Sequence, residues 1–150
     1  MADKKLPFSK EQILGIMKAY PTPFHIYDEA GIRDNARRFK KAFSVLTGFK
    51  EFFAVKALPN PFIIKLLKEE DFGTDCSSLP ELLLSEKIGI EKENIMFSSN
   101  DTPTKEYKKA RELGAVINVD DISHIPFLES NAGMPELICF RYNPGPARKG

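Results

Sequence analysis

Residues 51–56 read EFFAVK, an apolar run closed by a lysine. Four more short runs follow it: FGTDC at 72–76, NIMFS at 94–98, AVINV at 115–119 and ELICFRY at 136–142. Most carry β-branched or aromatic residues and are bounded by Gly, Pro or Asn, which is the composition of strands. FGTDC is the least strand-like and rests on its place in the series. The run starts lie about 22 residues apart, the length of one strand–helix unit. Helical patterns fill the gaps. Phe62, Ile63, Leu66 and Leu67 share one helical face. Ser78-Leu-Pro-Glu81 has the form of a capping box ahead of Leu82, Leu83 and Leu84. A third helix starts at 101–104 (DTPT), runs through Tyr107, Ala110 and Leu113, and stops at Gly114. Asp121 opens a fourth, which Pro126 should shorten or kink.

Alternating strands and helices, with strands that do not alternate in polarity, predict an α/β fold with a parallel sheet. Eight such units close a barrel over roughly 200 residues or more. Five units fit either most of a barrel or an open doubly wound sheet, and periodicity does not separate the two.

The first fifty residues follow another plan. Ser9–Tyr20 has helical spacing at Ile13, Ile16 and Met17, and the 21–23 stretch (PTP) breaks it. Residues 24–27 (FHIY) read as a short strand. Asp28 caps a long helix with Ile32, Ala36, Phe39, Phe43 and Leu46 on one stripe, ending near Gly48. Its other face holds Arg33, Arg37, Arg38, Lys40 and Lys41, which reads as a solvated basic face.

Composition narrows the function. Lys plus Arg number 22 and Asp plus Glu 21, so no basic surplus points to nucleic acid. No apolar run reaches the roughly 18–20 residues that span a bilayer, and no apolar stretch backs the opening lysines as in a secretory signal. The expectation is therefore a cytoplasmic protein with no nucleic-acid or membrane partner. Cys76 and Cys139 lie in apolar stretches, as reduced thiols do, and Cys76 reads as a small buried hydrophobe. His25 and His124 give no metal-ligand spacing, so no metal is expected.

The residue that points to chemistry is Lys56. Ligands of parallel α/β proteins bind at the carboxyl ends of strands. An apolar strand beneath an amine favours its neutral form, and only the free amine attacks a carbonyl carbon. By position alone, a plain surface lysine is the favoured reading.

Five stretches come in a fixed order around it: 22–28 (TPFHIYD), 53–57 (FAVKA), 73–78 (GTDCSS) with Glu81-Leu82, 117–120 (INVD) and 141–145 (RYNPG). In these the chain resembles the amino-terminal part of the pyridoxal-phosphate decarboxylases of the alanine-racemase fold, and within them the diaminopimelate decarboxylase branch. The resemblance implies a partial (β/α)8 TIM barrel, with the strand at 24–27 belonging to a separate β domain. Residues 1–27 would then form or flank that domain, and 28–150 would supply the first five strands of a pyridoxal-phosphate-binding barrel. It further implies that Lys56 carries pyridoxal 5'-phosphate and is the catalytic lysine. Asp75 and Arg141 would bind the cofactor, and Glu81 and Asn100 would stand behind them. Asp75 as a turn cap, Glu81 as the capping-box partner of Ser78, and Asn100 as a turn residue are the plainer readings of the same positions. A guanidinium in an apolar strand needs an anion, so Arg141 is expected to meet a ligand or Asp75.

The expected reaction is decarboxylation of meso-2,6-diaminopimelate to L-lysine, the last step of bacterial lysine biosynthesis, by a homodimer of the full-length enzyme. The alternatives are another basic amino acid (ornithine, arginine or carboxynorspermidine), a racemase, or a non-catalytic binding fragment. Three stretches depart from the family pattern: 58–61 (LPNP), 78–80 (SLP) and 98–101 (SSND). The family's phosphate-binding turns, proton donor and carboxylate for the pyridine nitrogen come from later parts of the sequence, so residues 1–150 alone are expected to be inactive.

Overall fold

The computed structural model describes residues 6–142. Its centre is a five-stranded parallel sheet in the order β1-β2-β3-β4-β5: Phe52–Ala54, Gly73–Cys76, Ile95–Ser99, Val116–Val119 and Ile138–Phe140. Helices α3 (Pro61–Glu69), α4 (Leu79–Ile88), α5 (Thr104–Glu112) and α6 (His124–Ala132) form the crossovers, preceded by α1 (Lys10–Ala19) and α2 (Glu29–Ala42). All five repeat strands predicted from sequence are present: the first and fifth are trimmed at both ends, the second and fourth lose their first residue, and the third is shifted on by one residue to end at Ser99.

Strand order decides between the two expected architectures. A doubly wound sheet reverses direction partway, whereas here every strand pairs with the next in sequence. Parallel crossovers are right-handed, so an unreversed order places every helix on the same side. The register shows it. Val55, Thr74, Cys76, Ile95, Phe97, Ile117 and Val119 point to the helices and join Ile64, Leu82, Tyr107, Ala110 and Leu128 in one core. Ala54, Asp75, Met96, Ser98, Asn118 and Cys139 point the other way and are only half-buried. The sheet is therefore the wall of a partial barrel.

Local chemistry sets the crossovers. Asn60 caps α3, its Oδ1 accepting the Phe62 N–H at 3.0 Å, and Pro61 fills the first helical position, where no N–H partner is needed. Gly89 (φ +77°) and Gly114 (φ +69°) end α4 and α5 in the left-handed region that a side chain disfavours. Inside the core, Ser85 Oγ donates to Thr74 Oγ1 at 3.0 Å and lies 3.3 Å from Cys76 Sγ, so the buried polar atoms satisfy one another.

Several expectations change in detail. Phe62 is exposed and Ile64 takes the inward place, because α3 packs on both its flanks: Ile64 meets the sheet core, while Ile63, Leu66 and Leu67 meet Ala36 of α2. Pro126 does not interrupt α6. The helix begins at His124, so the proline sits in the first turn, where its missing N–H costs nothing. Helix α2 ends at Ala42, which leaves Leu46 exposed in the following turns. Residues 24–27 pair with no strand of the sheet, since a ladder needs a partner and the described residues offer none beside them. Helix α1 has the expected Ser9/Gln12 capping box but buries no residue.

The basic face of α2 also differs from expectation. Arg33 bonds to Glu69 at 2.6 Å and Glu70 at 3.0 Å, Arg37 to Glu70 at 2.7 Å, and Lys40 to Asp71 at 3.0 Å. Its acidic partner is the carboxyl end of α3. A helix C-terminus attracts cations by its dipole, and three consecutive carboxylates there multiply the attraction. The two arginines pull the Glu70 carboxyl down to about 2.

Candidate active site

The carboxyl ends of the strands gather the polar residues. Strand β1 ends at Ala54, and the chain then makes a tight 3₁₀ turn, Val55–Ala57, with Val55 anchored in the core. That turn, rather than the strand itself, presents Lys56. Lys56 is exposed, so the described residues do not give it the buried setting expected from sequence. Its charge nevertheless bears on Asp75, the β2 residue paired with Ala54.

Asp75 lies at the centre of the group. Burial pushes its carboxyl above the usual aspartate range; the Ser98 hydroxyl, Lys56 and Arg141 oppose the shift, and Glu81 adds to it. Its Oδ1 is buried with no hydrogen-bond partner among the described residues. An orphaned carboxylate oxygen beside an amine is a place for a further donor.

Glu81 is not the reciprocal capping partner expected of it. It accepts from Ser77 N–H at 2.9 Å, Ser77 Oγ at 3.0 Å and Ser78 Oγ at 2.8 Å. The Ser78 hydroxyl is thereby turned away from its own helix, and Pro80 has no N–H to offer. The start of α4 is capped from a neighbour instead: buried Glu106 of α5 accepts the Leu79 N–H at 3.0 Å.

Arg141 follows β5, its N–H bonded to the Val119 carbonyl at 3.0 Å. Its guanidinium is half-exposed rather than buried, and its ion-pair partner is Asp120 at 2.9 Å rather than Asp75. One carboxylate at the adjacent strand end meets the need for an anion. Asn100 is exposed in the turn after β3 and joins no hydrogen bond of the group. Cys76 faces the helices, where burial pushes its thiol up to about 11, as suits a packing residue.

Sequence reading missed Ser98, Asn118, Ser77 and Asp120. Ser98 and Asn118 are direct partners in register, and Asn118 Nδ2 donates to Ser98 Oγ at 3.2 Å. The signal was a polar residue within each apolar strand, but only register shows that these lie on Asp75's face. A cleft of about 300 Å3 between α2 and α3 is lined by Ile32, Phe39, Phe53 and Leu67; its lining includes neither Lys56 nor Asp75.

A helix-backed, barrel-type parallel sheet with an amine and a carboxylate at its carboxyl end defines a class of α/β protein built to hold a ligand over the sheet's open face. Residues 29–148 match the family profile described as pyridoxal-dependent decarboxylase, pyridoxal binding domain, and the chain belongs to that family. The TabA protein of Pseudomonas amygdali pv. tabaci is 43% identical over 86% of this chain and 30% of its own length. The diaminopimelate decarboxylase of Methanothermobacter thermautotrophicus is 35% identical over 83% of this chain and 29% of its own. In structure, the diaminopimelate decarboxylase of Helicobacter pylori complexed with L-lysine superposes with a TM-score of 0.70 and 28% identity, covering 79% of this chain and 30% of that one. The chain thus spans about 30% of the length of these curated relatives.

The family's cofactor is pyridoxal phosphate, and the residues present fit part of it. Lys56 is an amine of the kind an aldehyde cofactor needs. Ala54 and Ser98 are small residues on the same face, and Asp75, on the strand between theirs, holds a buried oxygen with no partner among the described residues. Among the described residues no glycine-rich turn stands ready for the phosphate.

Proposed function

We propose that this chain forms the lysine-bearing wall of a pyridoxal-phosphate-dependent amino-acid decarboxylase acting on meso-2,6-diaminopimelate and producing L-lysine and CO2. The supporting observation is Lys56 set beside Asp75 at the carboxyl end of the uncovered sheet face. Bound pyridoxal phosphate supplies the electron sink that accepts the pair left when CO2 departs. The chain's own residues anchor and orient. Lys56 offers the amine that anchors the cofactor. Asp75 places a charge beside that amine. Glu81 fixes Ser77 and Ser78 at the start of α4, and Asp120 orients Arg141 at the opposite rim. In this reading residues 1–27 flank a separate β domain, residues 28–150 build the barrel wall, and the intact enzyme is a cytoplasmic homodimer.

The diaminopimelate relatives support the substrate assignment. A second reading, decarboxylation of a different amino acid, is kept in play because the relative of higher identity, 43% against 35%, is TabA, which is not named for diaminopimelate. The test has two arms. The intact protein is reduced with borohydride in the presence of pyridoxal phosphate and the adduct is mapped; labelling at Lys56 is expected, and labelling at any other lysine overturns the cofactor reading. CO2 release is then compared for meso-diaminopimelate, ornithine, arginine and lysine, and turnover of ornithine or arginine in preference to diaminopimelate selects the second reading.

A further inference from the structure

Asp120 and Arg141 are joined twice where β4 and β5 end. The Arg141 N–H donates to the Val119 carbonyl at 3.0 Å, one residue beyond the last register pair, Val119 with Phe140. Arg141 Nη1 then lies 2.9 Å from Oδ1 of Asp120, the residue after Val119. The ladder bond fixes where the arginine side chain starts, and the ion pair fixes where it ends. Asp120 is the better-covered partner, its side chain 26% exposed against 46% for Arg141. A short carboxylate at a strand end is the fixed half of such a pair, and the long arginine conforms to it. Only one terminal nitrogen is engaged. A guanidinium carries five N–H donors in a planar fork. Among the described residues, the rest of the Arg141 fork has no ion-pair partner.

We propose that Asp120 is a positioning residue that tethers Arg141 by one terminal nitrogen and turns its remaining N–H groups toward an anionic oxygen of the ligand bound at the strand ends. This deepens the function proposed above and rests on it. A single N···O contact leaves the guanidinium able to make the two-pronged contact that carboxylates and phosphates favour. Without Asp120 the side chain would be free to swing among the other anionic groups of the site, and ordering it would cost the ligand binding energy. Three groups offer the same anionic oxygen: the phosphate of the cofactor, the oxygen on its ring, and the carboxylate of an amino acid.

The first measurement needs no cofactor. In the intact protein labelled with 15N-arginine, the Arg141 Nη signals are assigned by their loss in Arg141→Lys. The tether slows the exchange of the two Nη groups, so their signals are expected to be separate in the parent and merged in Asp120→Asn. Asp120→Glu keeps the charge and is expected to fall between the two. Merged signals in the parent, or separate signals in Asp120→Asn, would overturn the tether. The second measurement takes dissociation constants for pyridoxal phosphate and for pyridoxal, with KM and kcat for the amino acid turned over fastest. Asp120→Asn is expected to weaken binding by about fivefold, the upper range for a half-exposed ion pair, with the loss falling on binding more than on kcat. A loss for pyridoxal phosphate alone assigns the oxygen to the phosphate, an equal loss for both forms to the ring, and a rise in KM alone to the carboxylate. Arg141→Ala is expected to weaken the same constant by about 30-fold. The double variant should be no weaker than Arg141→Ala, because Asp120 acts through Arg141. Three unmoved constants, or additive effects in the double variant, would overturn the positioning role. If borohydride labels a lysine other than Lys56, the proposed function fails, while the Nη signals still decide whether Asp120 tethers Arg141.

Discussion

The two faces of the sheet are made from the same strands and obey opposite rules. On the helix side, Phe97, Ile95, Ile117 and Val119 are fully buried, and Phe97 meets Tyr107 edge-on with ring centroids 6.2 Å apart. On the other side, Asp75, Ser98 and Asn118 are polar and half-buried, and one carboxylate oxygen lacks a partner. Residues of the first face are placed where they stabilise the fold most. Residues of the second are placed where a ligand can reach them, at some cost in stability. Neighbours in sequence, such as Cys76 and Asp75, thus do unrelated work because the strand turns them to opposite sides.

The widest separation between the faces should come from Lys56→Ala. It is expected to abolish covalent retention of pyridoxal phosphate, read by absorbance after borohydride reduction, while changing stability by no more than about 0.5 kcal/mol, since the side chain is exposed. Next is Phe97→Ala, which leaves a cavity against Tyr107. A loss of about 3–5 kcal/mol in chemical denaturation is expected, and a loss under 1 kcal/mol would mean that the helix-side core is not the main source of stability.

Asp75→Asn probes the same contrast from the open face. Because burial raises the folded carboxyl above its ordinary 3.8, the ionised form disfavours the folded state. That penalty is full above the raised value and vanishes as pH falls through it to the ordinary one. Asp75→Asn should therefore equal or exceed the parent in stability at neutral pH, the difference closing in acid, while cofactor retention falls. A variant less stable than the parent at pH 7 would make Asp75 a structural residue.

The smallest effect is expected at a site belonging to neither face. Glu70 is held down to about 2 from an ordinary 4.5 by Arg37 and Arg33, so its stabilising contribution is present above about 4.5 and is lost as pH falls toward 2. Glu70→Gln should remove that acid-limb loss and reduce the response of stability to salt, both measured by thermal unfolding across pH and ionic strength.

Much of this was legible before any coordinates. The five runs and their spacing gave the parallel sheet; Lys56 stood out by its place at a strand end, where such sheets bind ligands, and Asp75 only through the family resemblance. What periodicity left open was the closure of the sheet, because one-sided and two-sided helix packing share the same local pattern; strand order resolved it. Ser98 and Asn118 were hidden because a polar residue in a strand declares its face only once the pairing is known. The partners of Arg141 and of the α2 basic face were hidden for a related reason. Charges find the nearest opposite charge in space, and Asp120 and the 69–71 carboxylates become near only after the chain folds. The strand expected at 24–27 depends on a pairing partner, which the described residues do not contain.

Glu106 carries one more consequence. Its carboxylate belongs to one repeat of the barrel wall, and the peptide group it grips belongs to the repeat before. The ridge that bears Ser77, Ser78 and Glu81 is therefore pinned sideways, independent of whatever comes to rest on it. Sliding one repeat past its neighbour would strand a buried negative charge, so this stretch of rim should behave as a stiff arch rather than as a flap that closes over its guest.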